Sequence, residues 1–203
     1  MKILNYIYRF IRFIINNTVD LTSQFLGLML FKANRIKFKK GVIFNGIPKL
    51  HIQGKFRIGE NFKMNNRISA NPIGRSYKCT FVVRKDASMI IGDNVGMSGT
   101  TIVSQKKITI GNNVKFGGNV CVYDTDFHSL DAIQRRDLII DKENVVKKEV
   151  RINNDAFIGA HSTILKGVTI GRGSIIGACS VVTKDVPDYE IWAGNPVKFI
   201  RKI

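Results

Sequence analysis

From Ile152 to Val182 one apolar position recurs every six residues: Ile152, Ile158, Ile164, Ile170, Ile176 and Val182. Glycine follows three of them, at Gly159, Gly171 and Gly177. Four residues after each apolar position stands a small or β-branched residue: Ala156, Ser162, Val168, Ser174, Ser180 and Val186. A period of six is neither the helical period nor the plain alternation of a strand. It fits a short strand and a turn, repeated, with one large side chain per strand pointing inward. Three such units close a triangular coil, and stacked coils make a prism filled by a column of Ile and Val. Each backbone edge would pair with the coils above and below, and glycine after the inward residue suits a sharp corner.

The same beat runs earlier. Ile52, Ile58 and Met64 keep step, as do Ile91, Met97 and Val103, and then Ile110, Phe116 and Val122. Gly59, Gly92, Gly111 and Gly117 fall in phase, and the step from Val103 to Ile110 slips by one residue. Residues 65–90 are irregular in this count and are read as a coil with insertions. The first forty residues differ. "MKILNYIYRFIRFIINN" has a helical period, with Asn5, Arg9, Arg12 and Asn16 on one stripe and Leu4, Ile7, Ile11, Ile14 and Ile15 away from it. Arg9 and Arg12 interrupt the apolar run, and no charge-free stretch is long enough to span a bilayer. The segment either packs on its own domain or a neighbouring subunit, or lies on an anionic membrane surface.

The beat stops once, at "VYDTDFHSLD". The inward position after Val122 is His128, and Ser129 to Glu149 follow with many charges and no sixfold rhythm. The chain therefore leaves the prism at His128, makes an excursion and returns near Ile152. A loop thrown from a rigid scaffold is where function concentrates. His128 is the candidate general base, and Asp131, Asp126 and Asp124 are the local candidates for orienting its ring.

Charge and cysteines then narrow the setting. The 203 residues carry 32 Lys and Arg against 15 Asp and Glu, a formal charge of +17 that favours polyanionic or phosphate-bearing company. Residues 1–40 hold eight of the basic residues and one acid, Asp20. Cys79, Cys121 and Cys179 are odd in number and far apart, so they read as free, mostly buried thiols in a reducing compartment, and the expected location is cytoplasmic. His51, His128 and His161 are too scattered to form a metal site unless adjacent subunits combine them, so no metal is expected.

The repeat, "DFHSLD" and the tail "VVTKDVPDYEIWAGNPVKFIRKI" together resemble the hexapeptide-repeat acyltransferases, in particular sugar O-acetyltransferases of the maltose, galactoside and capsular polysaccharide type. The resemblance covers residues 50–203 and implies an all-β fold, a left-handed parallel β-helix. The hand comes from the resemblance, since general crossover rules favour the right. On this reading residues 1–40 form a basic amphipathic helical segment. Residues 41–187 form the β-helix with an excursion at 129–149, and residues 188–203 form a tail closing an acyl-CoA site.

The resemblance also implies acetyl-CoA as co-substrate, a homotrimer with sites between subunits, and transfer to the hydroxyl of a sugar or lipid-linked polysaccharide precursor, with His128 as base. By the same carry-over, Ala160 and Ala178 line the pantetheine slot, Thr183 and Lys184 follow at the next turn, and Lys198 and Arg201 face the nucleotide phosphates. Phe157 stands where many relatives have Trp. Ser98, Thr100 and Gln105 occupy the stretch where sugar-acetylating relatives place an Asn and an Asp, which implies a different acceptor. The alternatives are an N-acetyltransferase of an amino-sugar nucleotide and a non-catalytic β-helix binding protein. A nucleic-acid binder would explain the charge but neither motif.

Overall fold

A computed structural model of the protein describes residues 2–71 and 77–203. Helix α1, Lys2–Ala33, leads into a three-sided prism of parallel strands. The first face stacks Lys37–Phe38, Lys55–Ile58, Ser88–Ile91, Lys107–Ile110, Val150–Ile152 and Thr169–Ile170. The second stacks Ile43–Asn45, Lys63–Asn65, Gly96–Ser98, Lys115–Gly118, Phe157–Ile158 and Ile175–Ile176. The third stacks Lys49–Ile52, Thr80–Val83, Thr101–Ser104, Cys121–Tyr123, Thr163–Ile164 and Val181–Val182. This is the left-handed parallel β-helix, with six coils and an N-terminal helix.

The sixfold positions form the core. On the first face Ile58, Ile91, Ile110, Ile152 and Ile170 stand in register, one above the next, and all are buried. Ile102, Val122, Ile164 and Val182 form the equivalent column on the third face. The slip falls elsewhere than the sixfold count puts it: Ile102, not Val103, pairs with Val122, so the step from Met97 is five residues and the step on to Ile110 is eight. The irregular stretch is a regular coil with an insertion. Strands Lys63–Asn65 and Thr80–Val83 are its second and third sides, and the intervening residues form the insertion, of which residues 72–76 lie outside the described residues.

Two chemistries divide the corners, where the sequence suggested glycine alone. The left-handed conformation is held by Asn61, Asn94, Asn113 and Asp155, with φ of 54°, 58°, 61° and 64°. Asn and Asp tolerate that region better than other non-glycine residues. Their side chains also bond from coil to coil, at 3.0, 3.1 and 2.9 Å. Glycine instead permits close approach. A Cβ on Gly159 would lie 2.5 Å from the Ala178 backbone nitrogen, with the Gly177 and Ile176 backbones 2.7 Å away.

The two ends are closed differently. At the N-terminal end the second half of α1 packs across the prism. Phe31 is fully buried against the rings of Phe38 and Phe44, and Gly27 lies against Phe44. Gln24 clamps the first coil by donating to the Val42 carbonyl at 2.7 Å and accepting from the Phe44 N–H at 3.0 Å. Asp20 pairs with Arg67. The preceding turns of α1 overhang the prism, exposed apart from the half-buried Asn16. At the other end an antiparallel hairpin, Glu190–Ala193 with Lys198–Lys202, extends the second face, and Val197 is buried beneath it.

The corner argument separates two glycines. Gly159→Ala should lower stability by about 1–3 kcal/mol, the usual range for overpacking, because backbone and not a flexible side chain is in the way. Gly96→Ala, whose Cβ would meet only the Lys115 side chain at 3.7 Å, should leave the urea midpoint nearly unchanged.

Candidate active site

The excursion leaves the third face at Tyr123, and its neck is built before its tip. Asp124 is fully buried and accepts from the Gln105 N–H at 2.7 Å, the Lys106 N–H at 2.9 Å and the Ser104 hydroxyl at 2.9 Å. Outgoing and returning strands then bridge at Thr125 and Lys147, with Asp126 N–H donating to the Val146 carbonyl and Lys148 N–H to that of Asp124. Asp126 is further tied to Lys166 at 2.7 Å. Phe127 follows with φ of +67°, a strained conformation for an aromatic residue. It is held by its N–H on the Thr125 hydroxyl at 3.1 Å and by edge-on packing against Tyr123 at 5.2 Å. That bend turns the next residue, His128, out of the prism's rhythm.

His128 meets a carboxylate from further along the excursion. Its Nδ1 lies 2.7 Å from Oδ2 of Asp141, which belongs to helix α2, Leu138–Glu143. Asp137 caps that helix by accepting from the Ile139 and Ile140 N–H groups. The second oxygen of Asp141 accepts the Ser129 N–H at 2.7 Å, so both oxygens are engaged and the carboxyl cannot swing. Asp141 is buried while the His128 side chain is 69% exposed. The bonds from His128 and Ser129 hold the Asp141 carboxyl below the usual range, so it is ionised at neutral pH. An ionised acceptor on Nδ1 favours the tautomer with the proton there, which leaves Nε2 as the exposed basic nitrogen.

None of Asp131, Asp126 and Asp124 makes a hydrogen bond or ion pair with His128. Asp131 accepts the Ile133 and Gln134 N–H groups in the turn after the histidine, Asp126 pairs with Lys166, and Asp124 staples the neck. Local sequence proximity pointed to these three. The partner came instead from 13 residues downstream, because the excursion folds back through α2. The legible signal was an Asp at 137 opening a short apolar run, which placed Asp141 one turn inside a helix.

The other candidates fall at three places. Thr183 and Lys184 lie at the corner between the third and first faces. Lys184 stands two coils above Asp124, with Lys166 between them, since Val122, Ile164 and Val182 are paired in register. The Lys184 ammonium sits 5.0 Å over the Trp192 ring. Ala160 and Ala178 stack at the corner between the second and third faces, a different edge of the same prism from His128. Phe157 is about half exposed on the second face. Lys198 and Arg201 are exposed on the terminal strand, and neither makes an ion pair among the described residues.

Of the residues that the sequence assigns to the acceptor, Ser98 is buried and accepts from Asn65 at 2.9 Å and Asn71 at 2.8 Å. Thr100 is fully buried with its hydroxyl unpartnered among the described residues, and Gln105 is half-buried. The thiols are also divided. Cys79 is buried and desolvation pushes its thiol up to about 12, whereas Cys179 is exposed at a corner and Cys121 is intermediate. "Mostly buried" therefore describes only part of the set.

A family model, bacterial transferase hexapeptide (six repeats), matches residues 149–184. No curated protein matches the chain. Among solved structures the fold is similar to AntD, an N-acyltransferase from Bacillus cereus in complex with dTDP and coenzyme A. That likeness has a TM-score of 0.68 and 23% identity, and covers 86% of this chain and 87% of that one. A hexapeptide-repeat-containing acetyltransferase from Vibrio cholerae is 33% identical over 56% of this chain and 62% of its own, with a TM-score of 0.51. The polySia-specific acetyltransferase NeuO has a TM-score of 0.56 and 22% identity, over 82% of this chain and 85% of that one. The repeat and the prism are thus those of the hexapeptide-repeat acyltransferase fold.

Two outcomes follow from the Asp141 geometry. In Asp141→Asn the single carbonyl oxygen cannot accept from both Ser129 N–H and His128 Nδ1–H. If Ser129 keeps the oxygen, the amide forces the wrong tautomer. Turnover should fall in a folded protein by at least about tenfold, up to the about ten-thousandfold typical of a misoriented base, measured as free-thiol release. Acid should also loosen the excursion first. Asp141, Asp131 and Asp137 all have carboxyls held below the ordinary value by bonds made only in the fold. Their stabilisation is complete above the unfolded value of about 3.9 and is lost as pH falls through the lowered folded values. Limited proteolysis with an acid-active protease below about pH 4 should therefore cut within residues 129–143 before the coils.

Proposed function

We propose that the protein is an acetyl-CoA-dependent O-acetyltransferase acting on a hydroxyl of a sugar or polysaccharide precursor, with His128 as general base. The observation that carries this reading is the His128–Asp141 pair: an exposed imidazole fixed by a buried, ionised carboxylate at the edge of an excursion. A β-helix that only bound a partner would have no use for so constrained a base.

The chemistry follows from the pair. Nε2 accepts the proton of the acceptor hydroxyl as its oxygen attacks the thioester carbonyl. Asp141 stabilises the imidazolium that forms. The C–S bond then breaks, and the imidazolium returns its proton to the departing thiolate. The acetyl group has moved, and His128 is neutral again.

The donor is proposed to lie along the stacked Ala160 and Ala178, whose small side chains leave backbone accessible. Thr183, Lys184, Lys198 and Arg201 would take its polar and phosphate end. Ala160 and Ala178 stand at a different prism edge from His128, which supports a site completed between copies in a homotrimer. Ser98, Thr100, Gln105 and Phe157 are proposed on the acceptor side. The exposed half of Phe157 offers an apolar surface to a sugar face.

One observation favours a second reading. AntD has also been solved with dTDP-4-amino-4,6-dideoxyglucose and coenzyme A, at 22% identity over 86% of this chain. Transfer to the amine of an amino-sugar nucleotide is therefore the alternative. Assays with matched hydroxyl and amino acceptors separate the two.

His128→Ala should fold normally, since an exposed loop residue supports little core. Acetyl transfer should fall by about a hundredfold to ten-thousandfold, the usual worth of a positioned base, with little change in acetyl-CoA affinity. Near-wild-type turnover in folded His128→Ala, with either acceptor class, overturns the reading.

A further inference from the structure

Helix α1 has two faces with different neighbours. In its second half Ser23, Gly27 and Phe31 are buried on the prism. The overhanging first half continues the same stripe as Asn5, Arg9, Arg12 and Asn16, so its polar side points the same way as the packed side. The opposite side is apolar except at Thr18, whose hydroxyl is turned back onto the Ile14 carbonyl of the same helix at 2.9 Å. Ile7, Ile11, Ile14, Leu21, Phe25 and Met29 recur at spacings of three, four and seven, and are each about half exposed or more. Phe25 and Gly27, two residues apart, are about 200° apart around the helix. The apolar ridge therefore faces away from the body even where α1 is packed, and it runs for about 33 Å at 1.5 Å per residue.

Positive charge gathers at the C-terminal end of this ridge. Lys32 is exposed just beyond its end. A cleft of about 750 Å³ beside the start of the prism is lined by Arg35, Lys37, Lys55, Arg57 and Lys85, with Asp86 the single acid among its lining residues. None of those five cations makes an ion pair among the described residues. The one acid of residues 1–40, Asp20, is taken by Arg67. No described helix is long and apolar enough to cross a membrane.

We propose that α1 docks the protein flat on an anionic lipid bilayer. The ridge sits among the acyl chains, the polar stripe is turned back toward the body, and the basic cleft lies over the headgroups. A helix with this division lies in the interface and does not span it. Charge selects the occupant. A second copy laid along the ridge would set the eight basic residues of one protomer beside the eight of the other, whereas anionic headgroups complement both ridge and cleft. Because α1 crosses the N-terminal end of the prism, the coils rise away from the bilayer. His128 leaves the fourth coil. Three coil spacings of about 4.8 Å and a helix about 10 Å thick place it about 25 Å above the buried ridge. On the acetyltransferase reading, an acceptor held in that membrane would present a saccharide unit well beyond its lipid.

Flotation of the full-length chain with phosphatidylglycerol-containing vesicles, and with phosphatidylcholine vesicles alone, tests the docking independently of catalysis. The wild type should float with the anionic vesicles, bind neutral ones at least tenfold more weakly, and lose affinity as salt rises. Leu21→Glu with Phe25→Glu changes exposed, outward residues over the packed half, so the fold should hold, as thermal melting would check. This variant should bind at least tenfold more weakly while keeping its mass by light scattering. Lys37→Glu with Arg57→Glu should weaken anionic binding alone, by about fivefold or more per residue. Equal binding by the folded ridge variant, or no binding of wild type to anionic vesicles, overturns the proposal. So does a drop in oligomeric mass on changing the ridge, which would assign that face to a second copy.

Discussion

Every feature of this protein depends on one constraint, the fixed register between successive coils. Parallel backbone pairing on three faces sets each residue above its equivalent in the coil below. The isoleucine column of the first face then fills the interior with side chains of one shape. At the corners two kinds of residue keep the spacing. Glycines let backbones approach where a Cβ would collide, and the Asn and Asp ladder supplies the left-handed turn with its own coil-to-coil bonds. A solenoid of this sort is nearly one-dimensional, so each coil rests chiefly on its neighbours.

That regularity makes an exception possible. The excursion holds no long apolar core of its own, and is ordered instead by polar closures. Buried Asp124 fixes the neck, the Thr125–Lys147 bridge joins its two strands, and Asp141 ties histidine to helix through both oxygens. Buried carboxylates are tolerated here because both oxygens of each are engaged by N–H or O–H donors from backbone and side chains. The strained Phe127 is the bend between the two regimes. His128 is thus held by the scaffold, yet its outer nitrogen stays open to solvent.

The prism was legible because its signal is repeated. Any one of Ile152, Ile158 or Ile164 means little, but their spacing over most of the chain admits few folds. The break at His128 was legible for the same reason, as a departure from a known rhythm. The partner of that histidine was not, because the excursion has no period. Only the folding of α2 decides which carboxylate among several arrives, and nearness in sequence favoured Asp131, Asp126 and Asp124. The slip at Val103 was misplaced by one residue, since a count of six cannot tell which of two adjacent apolar side chains turns inward. The two faces of α1 were half visible: its polar stripe could be read off, but not that the same stripe becomes the packed side further on.

The stacked coils also act as a ruler. Each adds about 4.8 Å between the helix that crosses one end and the histidine that leaves the fourth coil. Because each coil depends chiefly on its neighbours, a whole coil could be gained or lost below the excursion without redesigning either terminus of that distance. Single residues gained or lost are absorbed at the corners, as in the five-residue step from Met97 to Ile102, and add no height. The distance from α1 to His128 is therefore quantised. Proteins built this way can differ in reach only by whole turns of the prism.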